Sequence, residues 1–270
     1  MQNRMMITGA GSGLGREIAL RWARDGWRLA LADVNEAGLA ETLKLVREAG
    51  GDGFTRRCDV RDYSQLTALA QACDEQFGGI DIIVNNAGEA SGGFFSELSL
   101  EDWDWQISIN LMGVVKGCKA FLPLLEKSKG KIVNIASMAA LMQGPAMSNY
   151  NVAKAGVVAL SESLLVELRQ QEIGVHVVCP SFFQTNLLDS FRGPTPAMKA
   201  QVGKLLESSP ISAADIAGYI HDELAKGSFM ILPHEMGRMA WALKQKNPQA
   251  LYDEMAGMAE KMRGKARSVS

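Results

Sequence analysis

The stretch that decides the fold is RMMITGAGSGLGREIALRWARDG, residues 4–26. A short apolar run, Arg4–Thr8, leads into a turn with four glycines and then into a segment with helical periodicity. Glycine permits a sharp turn and a close backbone approach to a ligand, and the amides at a helix start favour a pyrophosphate. The stretch therefore predicts a strand, a phosphate-binding turn of the form GxxxGxG, and a helix that ends near Gly26.

Outward from this stretch, the chain alternates short apolar runs with longer amphipathic segments. This alternation is typical of βαβ units and predicts an α/β protein, with a parallel sheet covered by helices on both faces. The later strands are predicted at WRLALAD (27–33), GFTRRCDV (53–60), IDIIVNNAG (80–88), GKIVNIAS (130–137) and EIGVHVVCP (172–180), with a seventh near Ser228–Leu232.

Composition limits the function classes. With 270 residues, 47% of them hydrophobic and 21% charged, the chain can form one sizeable core. A net charge of -2 without a basic run gives no case for nucleic-acid binding. The four cysteines have no paired spacing, which predicts neither a metal site nor disulfides and fits a cytoplasmic location. We also expect no targeting segment at the N-terminus and no transmembrane segment, because no apolar run reaches ~18 residues.

The segment SMAALMQGPAMSNYNVAK, residues 137–154, contains Tyr150 and, four positions later, Lys154. On a helix this spacing places an ammonium beside a phenol. A nearby cation favours phenolate and is expected to lower the pKa of Tyr150 from its usual ~10, which suits proton transfer. By itself, such a pair is more often an ordinary surface face of a helix.

Five motifs occur in order: TGAGSGLG at 8–15, NNAG at 85–88, Asn110, Ser137 and YNVAK at 150–154. In this order and at these separations they resemble the short-chain dehydrogenase/reductase family over roughly residues 4–232. The resemblance implies a doubly wound Rossmann fold with a seven-stranded parallel sheet. It also implies one NAD-binding and catalytic domain over residues 1–232, followed by a C-terminal helical extension over residues 233–270.

The resemblance assigns catalytic roles to four residues. Tyr150 would act as the general acid and base, and Ser137 would orient the substrate oxygen. Lys154 would bind the nicotinamide ribose and hold Tyr150 toward phenolate. Asn110 would hold a water that connects Lys154 to solvent, although a purely structural role for this amide stays open.

Asp33 predicts the cofactor. It stands 18 positions after Gly15, close to the ~20 expected for an acidic residue that accepts from an adenosine ribose hydroxyl and repels a 2′-phosphate. NAD is therefore favoured over NADP, while a role of Asp33 as the cap of the next helix stays open. The expected cofactor-binding residues are Gly9, Ser12, Gly13, Leu14, Gly15, Asp33, Asp59, Val60, Asn86, Ala87, Gly88, Tyr150, Lys154, Pro180 and Thr185.

Within that set, the resemblance implies different contacts. Asp59 would meet the adenine amino group, Val60 would lie along the ring, and Thr185 would bind the carboxamide. The NNAG motif is expected to be structural more than catalytic. The chain has Pro180-Ser181 where the family usually has Pro-Gly, which puts the shape of that loop in question because serine adopts positive φ less readily.

Apolar side chains near the expected site suggest either a pocket for a hydrophobic alcohol or ketone or plain core. They are Phe94, Phe95, Met138, Met142, Met147, Phe182, Phe183, Leu187, Leu188 and Phe191. Beyond Pro233, Met and Leu recur at helical spacing on both sides of Asn247-Pro248, which predicts two amphipathic helices. These helices could pack on the domain, cover the pocket, form a partner surface or, less well, meet a membrane.

The expected activity is hydride transfer between NAD and a hydrophobic secondary alcohol or ketone, without a metal. Family analogy also suggests a homodimer or homotetramer built on the long helices around Asn110 and Tyr150. The competing class is a non-catalytic NAD-binding protein that senses redox state. Such a sensor needs the glycine turn and Asp33 but not the Ser137, Tyr150 and Lys154 set.

Overall fold

A computed structural model describes residues 3–183, 191–193, 203 and 208–267. Seven strands form the sheet: β1 Arg4–Thr8, β2 Arg28–Asp33, β3 Asp52–Arg57, β4 Ile82–Asn85, β5 Lys131–Ile135, β6 Gly174–Val178 and β7 Met230–Ile231. The helices are α1 Gly13–Ala23, α2 Glu36–Glu48, α3 Tyr63–Phe77, α4 Leu100–Asn110, α5 Met112–Ser128, α6 Ala139–Met142, α7 Ser148–Glu167, α8 Ala213–Lys226, α9 Glu235–Lys246 and α10 Pro248–Arg267.

All strands are parallel, in the order β3-β2-β1-β4-β5-β6-β7. β1 lies next to the central strand β4, and its Met6 pairs with Ala30 of β2 on one side and Ile83 of β4 on the other. The winding direction of the chain therefore reverses between β1 and β4. In open α/β sheets, ligands bind in the crevice at such a reversal, beyond the carboxyl ends of the strands.

Helices cover both faces of the sheet, as the sequence predicts. One face packs on α3, α5 and α7, with Leu66, Phe121 and Val157 in its core. The other face packs on α1, α2 and α8 and buries side chains such as Ile18 and Ile220. The molecule is thus a doubly wound Rossmann fold with a seven-stranded sheet.

Local sequence explains where several helices begin and end. Ser99 and Asp102 form a reciprocal capping box that starts α4, and Ser212 and Asp215 form the same arrangement at α8. Gly78 ends α3 in the left-handed conformation, with φ of 73°. These caps satisfy backbone groups that would otherwise lack a partner.

A buried polar chain fixes α7 against the sheet. The Asn85 side-chain amide donates to Asn134 Oδ1 at 2.9 Å, and Asn134 Nδ2 donates to Ser161 Oγ at 3.0 Å. Ser161 in turn donates to the Val157 carbonyl at 2.7 Å. Because buried polar groups are costly without partners, this chain favours one rotation of α7 and so one direction for its side chains.

Two expectations differ from the structure. β3 ends at Arg57 rather than Val60, and the helix that includes Asn110 ends there, with Leu111 between α4 and α5. By length and composition alone, Leu100–Ser128 could cross a membrane. Of its most apolar window, 44% is buried, with α4 packed on α7 and α5 on α3. Core helices of proteins that do not span a membrane pass the same test of length and composition.

Candidate active site

The glycine turn joins β1 to α1 through positive φ angles of 65° at Gly9 and 52° at Gly13. A Cβ on Gly15 would lie 2.1 Å from the Gly9 carbonyl oxygen, so only glycine fits. Ser12 precedes α1 without a side-chain cap, which leaves the first amides of the helix directed toward the crevice. The turn fits a pyrophosphate.

The end of β4 holds this turn in place. The amides of Asn86 and Ala87 donate to Thr8 Oγ1 at 3.0 and 3.1 Å. Asn86 Nδ2 donates to the carbonyls of Thr8 and Gly9 at 3.0 and 3.1 Å. The NNAG motif therefore shapes the turn through hydrogen bonds, in agreement with the structural role expected for it.

Asp33 lies at the carboxyl end of β2 and faces the glycine turn. Its Oδ2 accepts from the Gly11 amide at 2.9 Å, and its Oδ1 accepts from the Asn35 amide at 2.9 Å. The cap of α2 is Asn35, which accepts from the Gly38 amide, and not Asp33. Each carboxylate oxygen retains a second lone pair, so Asp33 fits a pair of ribose hydroxyls.

Asp59 has a strong partner of its own. Arg61 contacts both of its oxygens, the shortest contact being 2.6 Å. This hydrogen bond lowers the pKa of the Asp59 carboxyl. Val60 is buried against Gly113, where a Cβ would lie 2.8 Å from Val60 Cγ2. A contact of Asp59 with adenine would have to share the carboxylate with Arg61.

Ser137, Tyr150 and Lys154 meet beyond the carboxyl ends of β5 and β6. Ser137, which follows β5, interacts with the Tyr150 side chain and favours its phenolate form by lowering its pKa. Lys154 lies one turn along α7, with its Nζ 5.9 Å from the centre of the Tyr150 ring. The same Nζ donates to the Ile135 carbonyl at 2.9 Å. The structure thus brings these three predicted residues together.

Burial sets the pKa values of this group. It raises the pKa of Tyr150, and the hydrogen bond with Ser137 offsets only part of that rise. Burial lowers the pKa of Lys154 to about 8. The pKa of Tyr150 is therefore raised and not lowered as expected, because the largest effect on this phenol is its removal from water.

Asn110 is fully buried at the end of α4. Its Oδ1 accepts from the Glu89 amide at 3.1 Å, and its Nδ2 donates to the Glu89 carbonyl at 2.8 Å. A Cβ on Gly88 would lie 2.6 Å from Asn110 Oδ1 and 3.4 Å from Lys154 Nζ. The Asn110 side chain therefore braces the loop after β4 next to Lys154.

The loop after β6 has an ordinary backbone at Ser181. The non-glycine residues with positive φ in the described ranges are Lys129, Gln143, Ala146 and Glu172, so serine is accommodated without strain. The Pro180 carbonyl accepts from the Met138 amide at 2.8 Å. Val178 and Cys179 are in the core. Thr185, Leu187 and Leu188 lie outside the described residues.

The family is decided by a comparison with known sequences. The family model for short chain dehydrogenases matches residues 3–194. The chain belongs to this family. Among curated relatives, 2-(R)-hydroxypropyl-CoM dehydrogenase of Xanthobacter autotrophicus is 35% identical over 214 residues, which cover 77% of this chain and 85% of that protein.

Solved structures of the short-chain dehydrogenase family agree with the fold. A member from Burkholderia phymatum, in complex with NAD, superposes with a TM-score of 0.87 at 35% identity, covering 92% of this chain and 95% of that one. A member from Sphingobium yanoikuyae, in complex with NADPH, has a TM-score of 0.75 at 25% identity, covering 93% and 95%. A nicotinamide cofactor is therefore supported, without a choice between the two forms.

The apolar side chains expected around this short-chain dehydrogenase site divide into two groups. Met138 is buried, and Met142 packs against the same core. Phe95 is 75% exposed and makes an edge contact with Trp103. Phe94 lies beneath the Arg263 guanidinium, which is 4.3 Å from its ring centre. The group is therefore partly core and partly surface.

The helices after β7 contact segments next to the site. Gly237 of α9 packs on Met138, where a Cβ would lie 3.0 Å from the sulfur. Lys244 Nζ donates to the Leu141 carbonyl at 2.5 Å and also contacts Gln143 Oε1. Together with the Arg263 contact on Phe94, this confirms two amphipathic helices after Pro233 and places them against the α6 segment and the loop after β4.

Sequence reasoning missed two residues near the site. Glu89 follows the NNAG motif, and burial raises the pKa of its carboxyl to about 7, with Asp33 adding to the rise and Arg192 opposing it. The sequence showed that Glu89 directly follows the predicted strand at 80–88. His234 contacts the loop after β6, but nothing in its sequence surroundings indicated that contact.

Proposed function

We propose that this short-chain dehydrogenase transfers hydride between NAD and a hydrophobic secondary alcohol or its ketone. The observation that carries the proposal is the meeting of the Tyr150 hydroxyl, the Ser137 hydroxyl and the Lys154 ammonium at the carboxyl edge of the sheet. A nucleotide-binding regulator needs no such set of proton-handling groups. The reaction uses a nicotinamide that accepts hydride from the alcohol carbon or returns it to the ketone.

The roles follow from the groups that each side chain presents. Tyr150 takes the proton of the alcohol, or gives a proton to the ketone oxygen, and Ser137 orients that oxygen by a hydrogen bond. Lys154 supplies positive charge beside Tyr150 and offers a donor to a ribose hydroxyl. Burial favours the neutral form of both side chains, so the charge of the bound reactants must help to form phenolate.

The choice of NAD rests on Asp33. A carboxylate that already accepts from the Gly11 and Asn35 amides has lone pairs for ribose hydroxyls but repels a phosphate. The preference for an apolar substrate rests on Phe94 and Phe95 in the loop after β4 and on Met147, which lies beside that loop. A cytoplasmic location and a homo-oligomer remain predictions from sequence.

Tyr150→Phe tests the proposal because it removes one oxygen. We expect turnover of a panel of secondary alcohols, measured by NADH absorbance, to fall by at least about 10²-fold. NADH binding, measured by fluorescence titration, should change less than about twofold. Tyr63→Phe, at an exposed position, is the control. Wild-type-like turnover by Tyr150→Phe would remove Tyr150 from the mechanism.

A further inference from the structure

The loop after β6 is held by a histidine of the C-terminal region. His234 directly precedes α9 and is 7% exposed. Its Nδ1 lies 3.1 Å from the Ser181 amide nitrogen, and its Nε2 lies 3.1 Å from the Phe182 carbonyl oxygen. One imidazole therefore spans two consecutive residues of the loop.

The two contacts define the protonation state of the ring. An amide N–H can only donate and a carbonyl can only accept, so Nδ1 accepts from Ser181 while Nε2–H donates to Phe182. This is the neutral Nε2–H tautomer. Burial and the Arg238 guanidinium both lower the pKa of His234, which favours that neutral form.

Pro180, at the start of the same loop, contacts Ser137 and the residue after it. The Pro180 carbonyl accepts from the Met138 amide at 2.8 Å and lies 3.4 Å from Ser137 Oγ. The Ala139 amide donates to Ser137 Oγ at 3.1 Å. The rotation of the Ser137 hydroxyl thus depends on the position of the Pro180 carbonyl. His234 binds Ser181 and Phe182, the two residues that follow Pro180.

We propose that His234 is a positioning residue for Ser137: its two hydrogen bonds hold the Pro180–Phe182 loop, and the Pro180 carbonyl, which accepts from Ser137 Oγ, then fixes the rotation of the Ser137 hydroxyl. This inference rests on the proposed function, since it assigns Ser137 to the reaction. It also gives the C-terminal helices a role, because α9 carries His234 into place through the packing of Gly237 on Met138.

Three substitutions separate the contacts. Asn has its acceptor oxygen the same number of bonds from Cα as Nδ1, so His234→Asn can retain the bond from the Ser181 amide. Gln has its donor nitrogen at the distance of Nε2, so His234→Gln can retain the bond to Phe182. His234→Leu has a similar volume and retains neither bond. Leu251→Ala, in the buried face of α10, is the control for simple loosening of the C-terminal helices.

The experiment measures kcat, KM for NAD, melting temperature and hydrogen–deuterium exchange of residues 180–183 in the full-length protein. His234→Leu should lower kcat about tenfold and raise loop exchange, because it removes both hydrogen bonds to the loop. His234→Asn and His234→Gln should each recover part of kcat and part of the exchange protection.

Two results would overturn the inference. One is unchanged exchange and kcat in His234→Leu. The other is a loss of kcat in Leu251→Ala as large as that in His234→Leu at the same loss of melting temperature, which would reduce His234 to a packing role. A wild type that turns over no alcohol would instead refute the proposed function, while the exchange data would still decide whether His234 holds the loop.

Discussion

At the scale of single residues, Asp33 combines a structural and a proposed binding role. Its two oxygens accept from the amides of Gly11 and Asn35, which hold the glycine turn and the start of α2 in fixed positions. The same carboxylate faces the crevice at the reversal point of the sheet. A substitution there therefore changes both the shape of the turn and the charge offered to a ribose.

Replacement of Asp33 should change cofactor choice. Asp33→Ala removes the charge that repels a 2′-phosphate, and we expect the ratio of kcat/KM for NAD to that for NADP to fall at least tenfold. Asp33→Asn removes the charge but retains an acceptor, so it should lower the ratio with a smaller loss of NAD affinity. Glu36→Ala, an exposed carboxylate nearby, is the control. A wild type that already prefers NADP would contradict this assignment.

Helix spacing predicted the pairing of Tyr150 and Lys154, and the family resemblance added Ser137 to that pair. They did not predict the pKa values. The spacing of Tyr150 and Lys154 indicates attraction, but the cost of burial depends on how the whole chain packs around them. The partner of Asp59 was likewise missed, although Arg61 stands only two positions away.

At the scale of elements, the glycine turn is built by contacts from β1, α1 and β4 together. Sequence predicted the strand, turn and helix, since they follow from local pattern. The hydrogen bonds from Asn86 to Thr8 and Gly9 join residues nearly 80 positions apart and depend on strand order. The break at Leu111 between α4 and α5 was also missed, because the apolar pattern continues through it.

Two helical glycines allow a matched test of this packing. A Cβ at Gly15 of α1 would overlap the Gly9 carbonyl, whereas a Cβ at Gly218 of α8 would meet nothing within 4 Å. Gly15→Ala should cost about 1–3 kcal/mol or more of unfolding free energy and weaken NADH binding at least tenfold. Gly218→Ala should be neutral or stabilise by up to about 1 kcal/mol. Equal effects in urea unfolding would show that the turn tolerates a side chain.

At the scale of the whole molecule, buried titratable groups act in opposite directions on stability. Glu89 has a raised pKa, so its contribution is full below its unfolded pKa of ~4.3 and is lost as pH rises through about 7. His176 and His234 have lowered pKa values, so their contribution is full above ~6.5 and is lost as pH falls. As pH rises from ~4.3 to ~6.5, the stability lost at Glu89 and the stability gained at the two histidines partly cancel.

Glu89→Gln isolates one side of this balance. The difference in melting temperature between variant and wild type should grow from pH 4.5 to about 7.5 and then level off, by roughly 2–4 °C for each kcal/mol of stability that the wild type loses. The variant should be the more stable protein at pH 8. Glu254→Gln, exposed on α10, should show no such trend. A constant difference at all pH values would mean that Glu89 is ionised throughout.

The contacts of His234 also bear on synthesis. Ser181 and Phe182 precede His234 by more than fifty positions, so they leave the ribosome well before their partner is made. A nascent chain can already pair its first six strands before His234 is available to bind Ser181 and Phe182. During synthesis, the hydrogen bonds of His234 to this loop therefore form after the crevice between β1 and β4.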